Sequence, residues 1–238
     1  KGKIPLIGGL VIYFNLILFI FLKNNIYFFD VILSTSLIII IIGLIDDYKD
    51  IGITIRLIFI LVSTLIIAGS GLSIINIGDY YYFNPIQLGI FGILLTVLSV
   101  IGLTNAVNFL DGIDGLCAST VLVSFLSIIL YGNFFNKYND YSILYILIYI
   151  LFIFLLFNFE IIKKFKVFLG DSGSTLIGFI LSWSLIYYSH PTVQAIHPVL
   201  TLWCVALPVF DITGVVTKRM VSKKNPFRPD RSHIHHLL

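Results

Sequence analysis

Charge is the scarcest property of this 238-residue chain: 11% of residues are charged and 58% are hydrophobic, with mean hydropathy +1.03. Soluble globular proteins carry about 25% charged residues, so a water-facing domain is excluded and a multi-pass membrane protein is expected. Glu160 is the only glutamate, which leaves little material for solvent-facing helix surface. Cysteine is nearly absent. Cys117 and Cys204 lie in or beside apolar segments without zinc-type spacing and are too few for a disulfide framework, so both read as packing residues. No short apolar stretch with a cleavage site opens the chain, so no signal peptide is expected. The start at Lys1 rather than Met, and the polar ending at Leu238, read as a piece of a longer protein.

What is abundant is long apolar runs. A spanning helix takes about 20 apolar residues, and eight stretches qualify, at about 5–22, 28–45, 53–72, 88–107, 116–131, 141–157, 174–188 and 196–216. The seventh is the shortest and the weakest candidate to cross. The expected fold is therefore all-α, a polytopic membrane helical bundle of about eight transmembrane helices in a single domain over residues 1–238. Alternating crossings place residues 1–3, 46–52, 108–115, 158–173 and 217–238 on one face, together with Arg56 at the start of the third apolar run. All 15 Lys and Arg except Lys23 and Lys137 fall there, and the positive-inside rule makes that face cytoplasmic. Residues 74–84 on the other face mix turn formers with β-formers and suggest a small interfacial hairpin. His190 and His197, each followed by Pro, fall on that outer side and read as structural.

Chemistry concentrates in a few polar clusters. The densest is residues 104–118, TNAVNFLDGIDGLCA, where Asn105, Asn108, Asp111 and Asp114 recur every third residue. If the preceding helix continues through Asn108, their oxygens converge at its end, and Gly112 and Gly115 allow the turn that follows. Asp46, Asp47 and Asp50 end the second apolar run and on a helix form one acidic patch. Asp171 stands between two glycines just ahead of an apolar helix, where free N–H groups suit a phosphate and a carboxylate suits Mg²⁺. The last cluster, residues 226–236, carries Arg228, Arg231, His233, His235 and His236, donors suited to diphosphate oxygens. A zinc site there is disfavoured, since no Cys accompanies it and hard carboxylates elsewhere favour Mg²⁺. Immersing Asp46, Asp47, Asp111, Asp114 and Asp171 in lipid would cost roughly 12–18 kcal/mol on insertion scales. They are therefore expected at helix ends or in a wet cleft. Carboxylates, amides, glycine turns and a basic loop on one face match metal-assisted phosphoryl transfer.

Together these residues resemble a known family, the polyprenyl-phosphate N-acetylhexosamine-1-phosphate transferases of glycosyltransferase family 4. The resemblance runs through PLIGGL at 5–10, GLIDD at 43–47, NAVNFLDGIDGL at 105–116, FLGDSGS at 168–174 and DRSHIHH at 230–236, in order. It implies Mg²⁺-dependent (or Mn²⁺-dependent) transfer of an N-acetylhexosamine-1-phosphate, foremost GlcNAc-1-phosphate, from a UDP-sugar to undecaprenyl phosphate. UMP is released on the cytoplasmic face of a bacterial inner membrane, and cell-envelope glycan synthesis begins. By motif correspondence Asn108 and Asp171 bind the metal, and Asp46 and Asp47 assist attack at the lipid-phosphate end. Asp111 is the third carboxylate of the catalytic set, with no defined step. Asp114 faces the uracil end, and Arg231, His233, His235 and His236 hold the donor diphosphate and sugar. The implied partners are a UDP-N-acetylhexosamine, undecaprenyl phosphate and the lipid bilayer, with room for a homodimer and no nucleic acid.

The HIHH loop resembles the O-antigen, common-antigen and teichoic-acid-linkage enzymes more than the phospho-N-acetylmuramoyl-pentapeptide transferase. The family has helices before and after this stretch, about ten or eleven in all. Two rivals are weaker. An intramembrane prenyltransferase explains DDYKD as a DDxxD motif but leaves GDSGS and the His loop without a role. A transporter would place its acids near the midplane within inverted repeats, whereas here they cluster at one face.

Overall fold

A computed structural model describes residues 5–23, 27–49, 51–78, 85–134, 140–162 and 165–222. Among these there are nine α-helices and no strand: α1 (Gly8–Lys23), α2 (Tyr27–Lys49), α3 (Ile53–Gly69), α4 (Ile90–Phe109), α5 (Leu116–Phe134), α6 (Ser142–Asn158), α7 (Gly170–Ser189), α8 (Thr201–Cys204) and α9 (Ala206–Val221). By length and composition α2, α4 and α5 are apolar enough to cross a membrane, while α1, α3 and α6 are shorter apolar helices. The chain is thus a membrane-embedded helical bundle.

The bundle is built around α7, the segment whose crossing looked weakest from sequence. All of its residues except Asp171, Tyr187 and Ser189 are buried. Four helices surround it, α2 and α4 most extensively, then α1 and α5. Its modest hydropathy has a physical cause: a helix enclosed by other helices touches protein rather than lipid, and needs small residues for close approach more than it needs apolar ones. A Cβ at Gly43 would stand 2.4 Å from the Ser172 Cα, one at Gly9 2.6 Å from the Gly173 Cα, and one at Gly178 3.1 Å from the Thr104 Cα. Large side chains are found on both sides: Phe125, Phe179 and Trp183 are fully buried, while Phe14, Phe21, Phe91, Leu98 and Phe134 are exposed on the outer surface.

The eighth expected span is not one helix. Residues 198–204 and α9 meet at 79°. Pro208, in the first turn of α9, has no N–H to give the carbonyl four residues earlier. That carbonyl, on Cys204, instead accepts a 2.7 Å hydrogen bond from Ser124 Oγ of α5. Both cysteines are free and buried.

Of the expected outer hairpin, the two arms are present: Asn76 bridges Gln87 antiparallel, and Leu88 N–H donates to Ile75 O at 2.9 Å. Residues 79–84 between them lie outside the described residues. His190 is buried at the same end as the start of α2, its Nδ1 2.8 Å from Thr192 Oγ1.

Candidate active site

At the opposite end of α7 the helix ends expected on one face do come together. A cleft of about 360 Å³ is lined by Asp47 from α2, Asn108 from α4, Asp111 to Gly115 from the α4–α5 turn, Asn158 from α6, and Phe168 to Asp171 at the start of α7. The geometry follows from local chain rules. α4 runs through Asn108 and stops at Phe109, and Gly115, at φ +73°, occupies the left-handed region open to glycine. Gly170, also at φ +73°, turns the chain into α7, and a Cβ there would stand 2.9 Å from Asp47 Oδ2. Asp171 consequently lies in the first turn of α7 rather than ahead of it.

Four hydrogen bonds define the floor. Asn108 Nδ2 donates to Asp171 Oδ1 at 2.8 Å and to Ser174 Oγ at 2.7 Å. Since a carboxylate only accepts, the Asn108 nitrogen faces Asp171 and its oxygen is left for another partner. Asp47 accepts from the Asp171 and Ser172 backbone N–H groups at 2.7 and 3.2 Å. The amides read from sequence as a phosphate cradle are therefore already capped, by a carboxylate on another helix that also suits the positive end of α7. Asp46 does not share a patch with Asp47. Neighbours on a helix point about 100° apart, and Asp46 turns inward, buried, 2.9 Å from Arg56 Nη1.

Asn105 also stays out of the cleft, its Nδ2 donating to Ile101 O of its own helix at 2.7 Å. Asp114 opens to solvent and pairs with Lys166 Nζ at 2.7 Å, while Glu160 sits 3.1 Å from the same ammonium. Arg231, His233, His235 and His236 lie outside the described residues, as do Arg228 and Asp50.

Two cations missed in the sequence reading thus enter the site, Arg56 and Lys166. Arg56 had a signal: an arginine four residues into an apolar run needs a buried partner, and Asp46 lies ten residues before it. Lys166 had none beyond its nearness to Phe168. Asn158 was also missed; its Nδ2 donates to Val167 O at 2.9 Å and ties the α6–α7 loop to the cleft wall.

Asp111, in the turn outside the spans, has its carboxyl pushed up to about 7. Loss of solvent in the cleft comes first among the causes, followed by the Asp171, Asp47 and Asp114 carboxylates. The folded chain therefore holds this proton more tightly than an unfolded chain, where the value is 3.8. The resulting stabilisation is present below about pH 4 and is lost as pH rises through about 7. Asp111→Asn is accordingly expected to raise the melting temperature of metal-free protein at pH 8 but not at pH 4, measured by thermal unfolding in detergent.

Comparison with known proteins places this geometry. Residues 28–189 match the glycosyl transferase family 4 model. The undecaprenyl-phosphate alpha-N-acetylglucosaminyl 1-phosphate transferase of Yersinia pestis is 34% identical over 242 residues, covering 100% of this chain and 66% of the relative. The protein of the same name from Salmonella typhi is 33% identical with the same coverage. That from Escherichia coli K12 is 43% identical over 76 residues, 32% of this chain and 21% of the relative. The chain spans about two thirds of the length of the relatives it matches throughout. Matched over most of its length, the chain belongs to glycosyl transferase family 4.

Proposed function

We propose that the chain carries the catalytic cleft of a sugar-1-phosphate transferase. It moves N-acetylglucosamine-1-phosphate from its UDP derivative to undecaprenyl phosphate on the cytoplasmic face of a bacterial inner membrane. The observation that carries this reading is the convergence of Asp47, Asn108, Asp111, Asp114 and Asp171, from separate segments, on one cleft at an end of an otherwise apolar bundle. Read as eight crossings, the last one broken, the apolar segments would put that end on the side holding most of the Lys and Arg.

In the reaction an oxygen of the lipid phosphate attacks the sugar-bearing phosphorus of the donor. The bond from that phosphorus to the bridging oxygen breaks, UMP leaves with the electron pair, and a lipid diphosphate sugar remains. The acceptor needs little help losing a proton, because the second pKa of a phosphate monoester is about 6. Binding and orientation are then the main tasks of the side chains.

The donor set fits Mg²⁺ or Mn²⁺. Among the described residues no three His, Cys, Asp or Glu converge as an all-protein cage, and Mg²⁺ is usually held by one or two carboxylates together with substrate phosphates. Asp171 and Asn108 would hold the ion, which when bound neutralises the diphosphate and the charge gathering on the leaving UMP. Asp47 keeps the first turn of α7, and so Asp171, in place. Lys166 fixes one oxygen of Asp114, leaving the other for the nucleotide end.

Membranes bearing the full-length protein, incubated with undecaprenyl phosphate, Mg²⁺ and a panel of UDP-N-acetylhexosamines, are expected to release UMP, fastest with UDP-N-acetylglucosamine. Absence of UMP from every donor, with prenylation of an aromatic acceptor instead, would overturn the reading.

A further inference from the structure

Arg56 stands in the first turn of α3, buried, and reaches two carboxylates with one nitrogen: Nη1 lies 2.9 Å from Asp46 Oδ2 and 3.3 Å from Asp171 Oδ1. The two acids differ in surroundings. The Asp46 side chain is 5% exposed and the Asp171 side chain 48%. Asp46 is thus the anchor, and Asp171 is the group presented to the cleft.

The chemistry lies in which oxygen of Asp171 is engaged. Arg56 Nη1 and Asn108 Nδ2 both donate to Oδ1, at 3.3 and 2.8 Å. Among the described residues Oδ2 accepts no hydrogen bond. Two donors on one oxygen, one of them fully charged, draw the carboxylate's basicity onto that side and hold the plane of the group. A cation arriving from the cleft meets a single available oxygen.

We propose that Arg56 is a positioning residue that makes Asp171 a one-oxygen ligand and thereby selects Mg²⁺ over Ca²⁺. Mg²⁺ demands near-octahedral geometry, which a carboxylate satisfies with one oxygen, whereas Ca²⁺ takes six to eight ligands and readily accepts both oxygens of a carboxylate. Holding Oδ1 against a guanidinium removes the second oxygen from Ca²⁺ and takes nothing from Mg²⁺. A lysine at the same place would keep the charge but lose the planar fork that fixes its direction. This inference rests on the proposed metal role of Asp171 and Asn108.

The test is competition binding on purified full-length protein in nanodiscs with UMP present. Mn²⁺ is read by paramagnetic resonance, and Mg²⁺ and Ca²⁺ are the competitors. For the parent protein Mg²⁺ is expected to displace Mn²⁺ at concentrations at least tenfold lower than Ca²⁺ does. In Arg56→Gln that ratio is expected to fall at least tenfold, chiefly by tighter Ca²⁺ binding, with Arg56→Lys between the two. Arg56→Lys keeps the charge beside Asp46 and provides the measurement if Arg56→Gln does not fold. A purely structural role would weaken all three ions together and leave the ratio fixed, and that result in a folded variant overturns the inference alone. No Mn²⁺ bound by the parent protein overturns the metal reading on which it rests.

Discussion

Asp171→Ala and Asn108→Ala are each expected to lower UMP release by at least about 10²–10³-fold, the range seen when one group stabilising transition-state charge is removed. The two side chains act as a unit. Asn108 Nδ2 bridges Asp171 Oδ1 and Ser174 Oγ at 2.8 and 2.7 Å, so truncating either residue also removes one of the other's anchors. The double variant should therefore be little worse than each single one, since residues acting as a unit are not additive. Asp171→Asn separates charge from shape, keeping the volume and an acceptor oxygen while removing the negative charge, and it should lose nearly as much as the alanine. His190→Ala is the control. It sits at the other end of the bundle with Thr192 as its partner, so turnover should stay within a few-fold of the parent, whatever happens to stability. Comparable losses in all three single variants would overturn both the site and the placement of the two ends.

Gly43→Val is expected to abolish recovery of folded protein. The Cβ alone would stand 2.4 Å from the Ser172 Cα and 3.0 Å from its N. Those are backbone atoms of the central helix and cannot swing aside as a side-chain tip can. Overpacking a well-filled core costs typically 1–3 kcal/mol. Here α2 would be driven away from α7 at the point where Asp47 caps it, so the capping bonds at 2.7 and 3.2 Å are lost as well, a further ~1 kcal/mol. Gly102→Ala provides the contrast. Nothing stands within 4 Å of a Cβ there, and in a helix interior Ala is favoured over Gly by up to about 1 kcal/mol in water. Detergent-extracted protein followed by size-exclusion profile and melting temperature should show loss for Gly43→Val and no loss for Gly102→Ala. A monodisperse Gly43→Val protein with the parent's melting temperature would overturn the close approach of α2 and α7.

Most of the bundle could be read in advance because lipid imposes its own signature. The first six apolar stretches coincide with α1 to α6 to within a few residues at most ends. The reading weakened where a segment does not touch lipid. α7 has glycines and serines where its neighbours press on it, so its apolar content understated its importance. The eighth stretch held enough apolar residues for one helix, but Pro208 lacks the N–H that would bond the Cys204 carbonyl, and the hydroxyl that donates to that carbonyl instead lies 80 residues away at Ser124. The same distinction runs through the site. Asn108, Asp111, Asp114 and Asp171 were legible as an aggregate of ligands at segment ends, and the cleft gathers them. Which partner each takes was not legible, because it depends on the directions of side chains on separate helices. Asp46 and Asp47 are adjacent in the chain, yet one faces a buried guanidinium and the other the backbone of α7.

The cap that Asp47 places on α7 adds a fixed polar tie to two helices already in close contact at Gly43 and Ser172. α2 exposes Leu37, Ile41 and Ile45 on the bundle surface, whereas α7 is enclosed by its neighbours. Because a side chain of α2 is fastened to the backbone carrying Asp171, a tilt of α2 carries the neighbouring carboxylate with it. The spacing between the two acids is then set by two hydrogen bonds rather than by the lipid.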